Sequence, residues 1–190
     1  MLLIRKALEL LNEVHPEDLS IREVTRLTEL SSGAPYHHFK TKTDLLAACA
    51  VLAWTELCIQ LEDDGGNGAE EQLLQRAITY LSYARANPGP YRLITSRLFE
   101  NSQSFPEIGK LRARAMGGII TLIIAASKPA LDRKDAKFLG LCIWSMLHGH
   151  LILNHEPSEM FDSLASLDHD VAIHAVNTAL RRGKFRAQVK

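Results

Sequence analysis

Apolar residues recur along the chain at intervals of three and four, which is the spacing of one face of an α-helix. In the first fifteen positions these residues are Ile4, Ala7, Leu8, Leu11 and Val14. The stripe predicts a first helix that ends near His15-Pro16, since the residue before a proline disfavours helical backbone angles. A second helix is expected to follow Ser20 and end near Leu30, because Ser20 and Glu23 have the spacing of a capping box.

Two more helices are predicted before the pattern breaks. A short helix over about 31–38 follows the turn chemistry of its first serines and glycine. Thr41 or Thr43 then caps a long helix over 43–61. The polar, glycine-rich run 63–68 interrupts the periodicity and is interpreted as a domain linker.

The rest of the chain continues with helical periodicity, and prolines separate the segments. The expected helices lie at about 69–86, 90–101, 106–126, 133–154 and 163–182. No alternating strand pattern competes with them. The sequence therefore predicts an all-α fold.

Composition and charge narrow the function classes without selecting one. The chain has 190 residues, of which 46% are hydrophobic and 23% charged, so it can bury a continuous core. The formal net charge is zero, and residues 1–46 contain six Lys/Arg against seven Asp/Glu, so any contact with DNA must come from local geometry. The apolar run after Gly117 is short and interrupted. We therefore expect no membrane partner and a cytoplasmic location.

The reactive residue types show no catalytic or metal-binding spacing. Cys49, Cys58 and Cys142 match no zinc or redox pattern and are interpreted as small core residues. His148, His150 and His155 do not share one helical face, so no metal and no cofactor are expected. No phosphate loop or nucleophile elbow occurs, which argues against an enzyme. A hydrolase that uses Cys142 or His148 remains a distant alternative.

Two short helices joined by a tight turn are typical of a helix-turn-helix. The segment 31–46, SSGAPYHHFKTKTDLL, closely resembles the recognition helix and the following helix start of the TetR/AcrR family. Ile4–Val24 is similar to the family's first helix and the entry to its second helix. The resemblance implies a three-helix helix-turn-helix DNA-binding domain over 1–46, connected through the helix 43–61 to a ligand-binding and dimerisation domain over 62–190. Glu29 stands where the family usually has a turn glycine.

The resemblance also implies how individual residues contact double-stranded operator DNA. Tyr36 and Lys42 correspond to residues that bind the phosphate backbone, and Ser32, Ala34 and His37 to positions that face the groove. The predicted DNA-binding residues are Ser20, Arg22, Ser31, Ser32, Gly33, Ala34, Tyr36, His37, His38, Lys40 and Lys42. In an arbitrary helical protein, His37 and His38 would be a surface pair without a function.

The C-terminal half carries a second resemblance. Ala77–Phe99 and the run Trp144–Gly149 are similar to one branch of the family's ligand domains, with a tryptophan followed by His-Gly. The implied homodimer joins the last two long helices through Trp144, Leu147, Leu151, Val171, His174 and Leu180. The candidate lining of the effector site is Tyr83, Tyr91, Phe99, Met116, Ile120, Trp144 and His148.

These resemblances predict a transcriptional repressor that binds a palindrome as a homodimer and is released by a small, mostly apolar effector. The main alternative is a helical small-molecule-binding protein without DNA binding. For His148, a structural histidine held by hydrogen bonds is the alternative to an effector contact. For Trp144 and Leu147, the core of the protein or the dimer interface is the main interpretation, and an aromatic-lined pocket is the alternative.

Overall fold

The computed structural model describes residues 1–28, 38–63, 65–101, 103–127, 131–153 and 164–188. Within these ranges the regular elements are helices only, which confirms the all-α prediction. The α-helices are α1 (Leu2–Leu10), α2 (Ile21–Leu27), α3 (Lys42–Glu62), α4 (Ala69–Ala86), α5 (Pro88–Thr95), α6 (Pro106–Ala126), α7 (Arg133–Leu153) and α8 (Asp168–Gln188). Short 3-10 helices lie at Arg97–Phe99 and Leu164–Leu167.

Most helix boundaries agree with the sequence prediction. The bounds of α4 and α6 match the predicted bounds, and those of α3 and α7 differ from the predicted bounds by at most one residue at each end. Other boundaries were wrong by more: α1 ends at Leu10, α5 ends at Thr95, and α8 begins at Asp168 after a 3-10 turn.

The early end of α1 has a local cause. After Leu10 the amides of Asn12 and Glu13 donate to carbonyls three residues back, at 3.1 and 2.9 Å, so the backbone tightens into a turn. Leu11 is fully buried although it lies in that turn. The apolar stripe therefore continues beyond the helix, and periodicity alone placed the end too late.

The end of α5 is set by hydroxyl groups that bond to the backbone. The Ser96 hydroxyl donates to the Leu93 carbonyl at 2.7 Å, and Ser96 itself has an extended backbone that stops the helix. The chain then enters the 3-10 helix Arg97–Phe99, where Phe99 is buried edge-on against Phe105 at 5.0 Å between ring centroids.

The chain forms two compact units. The N-terminal unit comprises Met1–Cys58 and Tyr83–Arg112, and the C-terminal unit comprises Ile59–Ser82 and Ala113–Lys190. The sequence did not anticipate that Tyr83–Arg112 belongs with the N-terminal segment. The predicted division into 1–46 and 62–190 stays a prediction.

Helices α3 and α7 are long and apolar enough to pass a length-and-composition test for membrane spans, with mean hydropathy of 1.5 and 1.3. The sequence prediction overlooked both. In α3, Cys49, Ala53 and Leu57 are fully buried, so this helix has the composition of a core helix. A smaller part of the apolar stretch is buried in α7 than in α3. The exposed apolar side chains of α7 are described below.

Candidate nucleic-acid interface and effector residues

The first turn of α2 is fixed by its cap. The Ser20 hydroxyl accepts a hydrogen bond from the Glu23 amide at 3.4 Å. This is one of the two reciprocal hydrogen bonds of a capping box, and it confirms that part of the prediction. Arg22 in the same turn is exposed. The helix ends at Leu27, earlier than expected, and the Thr28 hydroxyl donates to the Thr25 carbonyl at 2.9 Å. The first turn of α2 thus presents an arginine and free amide groups to solvent.

The start of α3 has a reciprocal cap. The Asp44 amide donates to the Thr41 hydroxyl at 3.1 Å, and the Thr41 amide donates to the Asp44 carboxylate at 2.9 Å. Thr41, not Thr43, is therefore the capping residue, and Asp44 takes the place usually held by a glutamate in a capping box. Lys40 precedes the cap and is exposed.

Lys42 connects this helix start to the turn before α2. Its ammonium donates to the main-chain carbonyl of Glu17, which lies three residues before Ser20. The hydrogen bond holds the positive ends of α2 and α3 in one region, and helix N-termini with nearby lysines are natural phosphate sites. The exposed carboxylates of Glu17 and Asp18 weaken the positive field there, in keeping with the neutral charge of this segment.

Four of the predicted DNA-binding residues, Ser20, Arg22, Lys40 and Lys42, lie in the first turns of α2 and α3 or directly before them. His38 is exposed, with its ring 6.4 Å from that of Phe39. The remaining predicted residues lie outside the described part of the chain: Ser31, Ser32, Gly33, Ala34, Tyr36 and His37.

A contact that the sequence missed joins α5 to the end of α1. A Cβ added to Gly89 would lie 2.3 Å from the Leu11 carbonyl, so only glycine permits this approach. The Gly89 amide donates to the Asn12 side-chain carbonyl at 2.9 Å, and the Arg92 guanidinium donates to the Leu11 carbonyl at 3.3 Å. The glycine between two prolines was the one local signal for this contact. We call Gly89, Leu11, Asn12 and Arg92 the α1–α5 joint.

Three of the predicted effector residues, Tyr83, Tyr91 and Phe99, lie in the core of the N-terminal unit. The Tyr83 hydroxyl donates to the Ala53 carbonyl at 3.0 Å. Burial, with a smaller contribution from Glu56, raises the pKa of Tyr83 far above its usual value, so this phenol stays neutral. Its polar end is thus occupied by the protein itself.

The other four, Met116, Ile120, Trp144 and His148, lie in the C-terminal unit. The Trp144 indole N–H donates to the Tyr80 hydroxyl at 2.9 Å, and the Trp144 ring stacks on His148 at 5.6 Å between centroids. Burial lowers the pKa of His148 and favours its neutral form. The sequence missed Tyr80. That the seven residues of both units line one effector site stays a prediction.

Another contact of the C-terminal unit links α7 to α8. The His150 imidazole hydrogen-bonds to the Asp168 carboxylate at 2.7 Å, and His150 is buried. From the sequence alone, His150 was a candidate only for metal binding. Among the described residues no group of three side chains is arranged to hold a metal ion. The role that the structure gives His150 is to connect the two helices.

The dimer face predicted from the sequence needs a correction. Leu147, Leu151 and Leu180 are buried within the single chain, so they form its own core and are not available to a partner. Trp144 of the predicted set is exposed, as are Ile152 and Leu153 on α7. The other exposed large apolar side chains of α7 are Phe138 and Leu141, which are 42% and 41% exposed. A cleft of about 480 Å³ lies beside them, lined among others by Met146, Ala175, Thr178 and Ala179. We call this surface the α7–α8 face.

The helical fold and the capped N-terminal helices are compatible with a helix-turn-helix DNA-binding protein. Residues 3–49 match the family described as "Bacterial regulatory proteins, tetR family". Residues 73–178, more than half of the chain, match the "Tetracyclin repressor-like, C-terminal domain". The chain therefore belongs to the TetR family of transcriptional regulators. Its place in the Trp-His-Gly branch stays a prediction.

Individual relatives agree with this assignment over nearly the whole chain. An uncharacterised HTH-type transcriptional regulator of Mycobacterium tuberculosis is 26% identical over 187 residues, which are 97% of this chain and 80% of that protein. The fold is similar to that of the TetR-family regulator PfmR from Thermus thermophilus, with a TM-score of 0.69, 19% identity, and coverage of 94% of this chain and 97% of the other. It is also similar to a TetR variant from Acinetobacter baumannii AYE in complex with minocycline, with a TM-score of 0.66, 19% identity and coverage of 94% of each chain.

Proposed function

We propose that this TetR-family regulator is a repressor that binds palindromic operator DNA as a homodimer and leaves it when a small effector binds. The observation that supports the proposal most is that the segment matched to TetR regulators, 3–49, contains two capped helix N-termini held together by Lys42. Phosphate groups bind at such N-termini. We infer that the protein acts on DNA in the cytoplasm and is not an enzyme.

The DNA contacts divide by their chemistry. Arg22, Lys40 and Lys42, with Tyr36, contact phosphates and fix the register of the protein on the duplex. Ser32, Ala34 and His37 face base edges in the major groove. The lysine contacts strengthen binding to any sequence, whereas the groove contacts discriminate between sequences.

The homodimer forms through the α7–α8 face. Phe138 and Leu141 lie one turn apart on α7 and together form an exposed apolar patch, which a second copy would remove from water. A two-fold axis through this face pairs α7 and α8 of both copies in a four-helix bundle. Such a dimer presents two recognition helices to half-sites about 34 Å apart.

The effector is a small molecule with a substantial apolar part, bound by residues of the helical core. The related Acinetobacter protein was crystallised with minocycline, which is a precedent for a small ligand in this fold. To release DNA, the effector must prefer the conformation that does not bind DNA. A tenfold loss of operator affinity requires about 1.4 kcal/mol of that preference.

The proposal is tested by measuring how salt changes binding of the wild-type protein, Lys40→Ala and Lys42→Ala to fluorescent duplex DNA. Each lysine that binds a phosphate contributes about 0.9 to the slope of log affinity against log salt concentration. We expect each variant to lose about one unit of slope on specific and random duplexes alike. Lys134→Ala, which removes an exposed lysine of the C-terminal unit, is the control and keeps the wild-type slope. A folded wild-type protein that binds no duplex would support a helical small-molecule-binding protein instead.

A further inference from the structure

Helix α5 is held at its C-terminal end by Arg112 of α6. The Arg112 guanidinium donates to the carbonyl of Ile94, in the last turn of α5, at 3.4 Å. It also donates to the carbonyl of Phe99, at the end of the following 3-10 helix, at 2.8 Å. Carbonyls in the last turn of a helix have no partner within the helix, and the negative end of the helix dipole attracts a cation. Arg112 therefore satisfies backbone groups at the ends of both helices.

Trp54 of α3 holds the same guanidinium from another side. The central carbon of the guanidinium is 6.0 Å from the centre of the Trp54 ring, within the range of a cation–π contact. Trp54 is buried and its indole N–H has no hydrogen-bond partner, so packing and this contact hold the ring. Arg112 is half-buried, and in the described part of the chain it forms no ion pair. Its charge thus serves the two carbonyls and the ring.

The first half of α5 is held to the end of α1 by the α1–α5 joint. There the Gly89 amide donates to the Asn12 side chain at 2.9 Å, and the Arg92 guanidinium donates to the Leu11 carbonyl at 3.3 Å. Helix α1 packs against both α5 and α2, and the first turn of α2 carries Arg22. All these residues belong to the N-terminal unit. Helix α5 therefore connects Arg112 to the helix that supports α2.

We propose that Arg112 is a positioning residue for DNA binding, which fixes α5 and, through the α1–α5 joint, the placement of α1 and α2 on the operator. Arg112 acts through these contacts and does not bind DNA itself. Without the guanidinium, α5 would depend on the joint and on side-chain packing, and the joint would open more often. Affinity falls in proportion to the population of the binding-competent arrangement. The inference rests on the proposed function and adds to it a residue outside the matched segment 3–49.

The first readout is hydrogen exchange of single amides in the full chain without DNA, followed by NMR. The Gly89 amide reports on the joint because it donates to Asn12. The amides of Ala53 and Leu57, which are fully buried in α3, report on unfolding of the N-terminal unit. In Arg112→Gln we expect the Gly89 amide to exchange about tenfold faster relative to the two α3 amides. A residue that only stabilised the unit would accelerate all three amides equally.

The second readout is affinity for the tightest duplex selected from a random-sequence library, measured where each variant is fully folded. Arg112→Gln should bind it about tenfold more weakly, which corresponds to about 1.4 kcal/mol. The slope of log affinity against log salt concentration should stay the same, because no phosphate contact is lost.

Two variants serve as comparisons. Arg112→Lys keeps a charged donor for one carbonyl, so it should recover part of the affinity and part of the Gly89 protection. Arg97→Gln removes the same charge from a side chain that is 95% exposed in the same unit. It should leave both the affinity and the Gly89 exchange unchanged.

Wild-type affinity for the duplex in Arg112→Gln would overturn the inference, as would Gly89 exchange that changes only in step with the α3 amides. A salt slope lower by about 0.9 would also overturn it, because Arg112 would then bind a phosphate directly. A wild-type protein that binds no duplex would contradict the proposed function and with it the DNA role of Arg112. The exchange experiment contains no DNA, so it still decides whether Arg112 holds the joint.

Discussion

Replacing Gly89 by alanine is the sharpest test of how the N-terminal unit is assembled. The alanine Cβ would lie 2.3 Å from the carbonyl carbon and oxygen of Leu11 and 2.5 Å from the Asn12 nitrogen. These atoms belong to the backbone and cannot rotate away. Ordinary contact begins near 3.4 Å, so α5 and the end of α1 must separate by about 1 Å.

The energetic cost follows from the contacts that this separation breaks. The hydrogen bonds from Gly89 to Asn12 and from Arg92 to Leu11, now at 2.9 and 3.3 Å, would exceed hydrogen-bond distance. Their loss costs about 1 kcal/mol or more each, and overpacking adds about 1–3 kcal/mol. Alanine returns about 0.5–1 kcal/mol because it loses less backbone entropy than glycine. We expect a net loss of about 2–4 kcal/mol.

The assay is thermal unfolding followed by circular dichroism. For a chain of this size, 1 kcal/mol corresponds to about 2–4 °C in Tm, so Gly89→Ala should unfold at least about 4 °C below the wild-type protein. Gly117→Ala is the matched control, since a Cβ at Gly117 meets no atom within 4 Å. It should raise Tm slightly. A Gly89→Ala protein that unfolds at or above the wild-type temperature would refute the α1–α5 joint.

Three further predictions concern assembly, protonation and thiol chemistry. Leu141→Glu places a charge on the α7–α8 face and should halve the mass found by light scattering. Leu2→Glu, at an exposed site on α1, should leave the mass unchanged. An unchanged mass for both variants would exclude the α7–α8 face as the dimer interface. Because burial lowers the pKa of His148, protonation favours the unfolded chain, so stability falls as pH drops below about 6.5. His148→Phe should lose less Tm than the wild-type protein between about pH 7.5 and 5.5, and equal losses would contradict this. Burial raises the pKa of Cys49 to about 12, so a thiol reagent should modify the half-exposed Cys142 first; a fast phase that survives Cys142→Ser would contradict the order.

Local sequence patterns predicted most of the helices. The caps at Ser20 and Thr41 depend on residues three apart, and the structure contains both. The end of α1 was wrong because Leu11 is buried in a turn, and burial of an apolar residue is the same signal in a helix and outside it. Periodicity reports which residues are buried and leaves the backbone conformation at a helix end undetermined.

Contacts between distant residues could not be predicted. Asn12 and Gly89 are 77 positions apart, and no local sequence pattern at either residue indicates a contact with the other. The same holds for Trp54 and Arg112. Only the structure shows that the indole N–H lacks an acceptor and that the guanidinium lies over the indole ring. Leu147 was assigned to the dimer face because helical spacing cannot distinguish a chain's own core from its interface with a partner.

Binding of the protein to DNA as a two-fold symmetric dimer is tested by selecting bound duplexes from a random-sequence library. We expect enrichment of one two-fold symmetric sequence with half-sites about 10 base pairs apart, or a multiple of that, centre to centre. The enriched duplex should lose affinity when either half-site is scrambled, because both copies must bind together. Recovery of no enriched sequence by a folded, dimeric protein would contradict the claim.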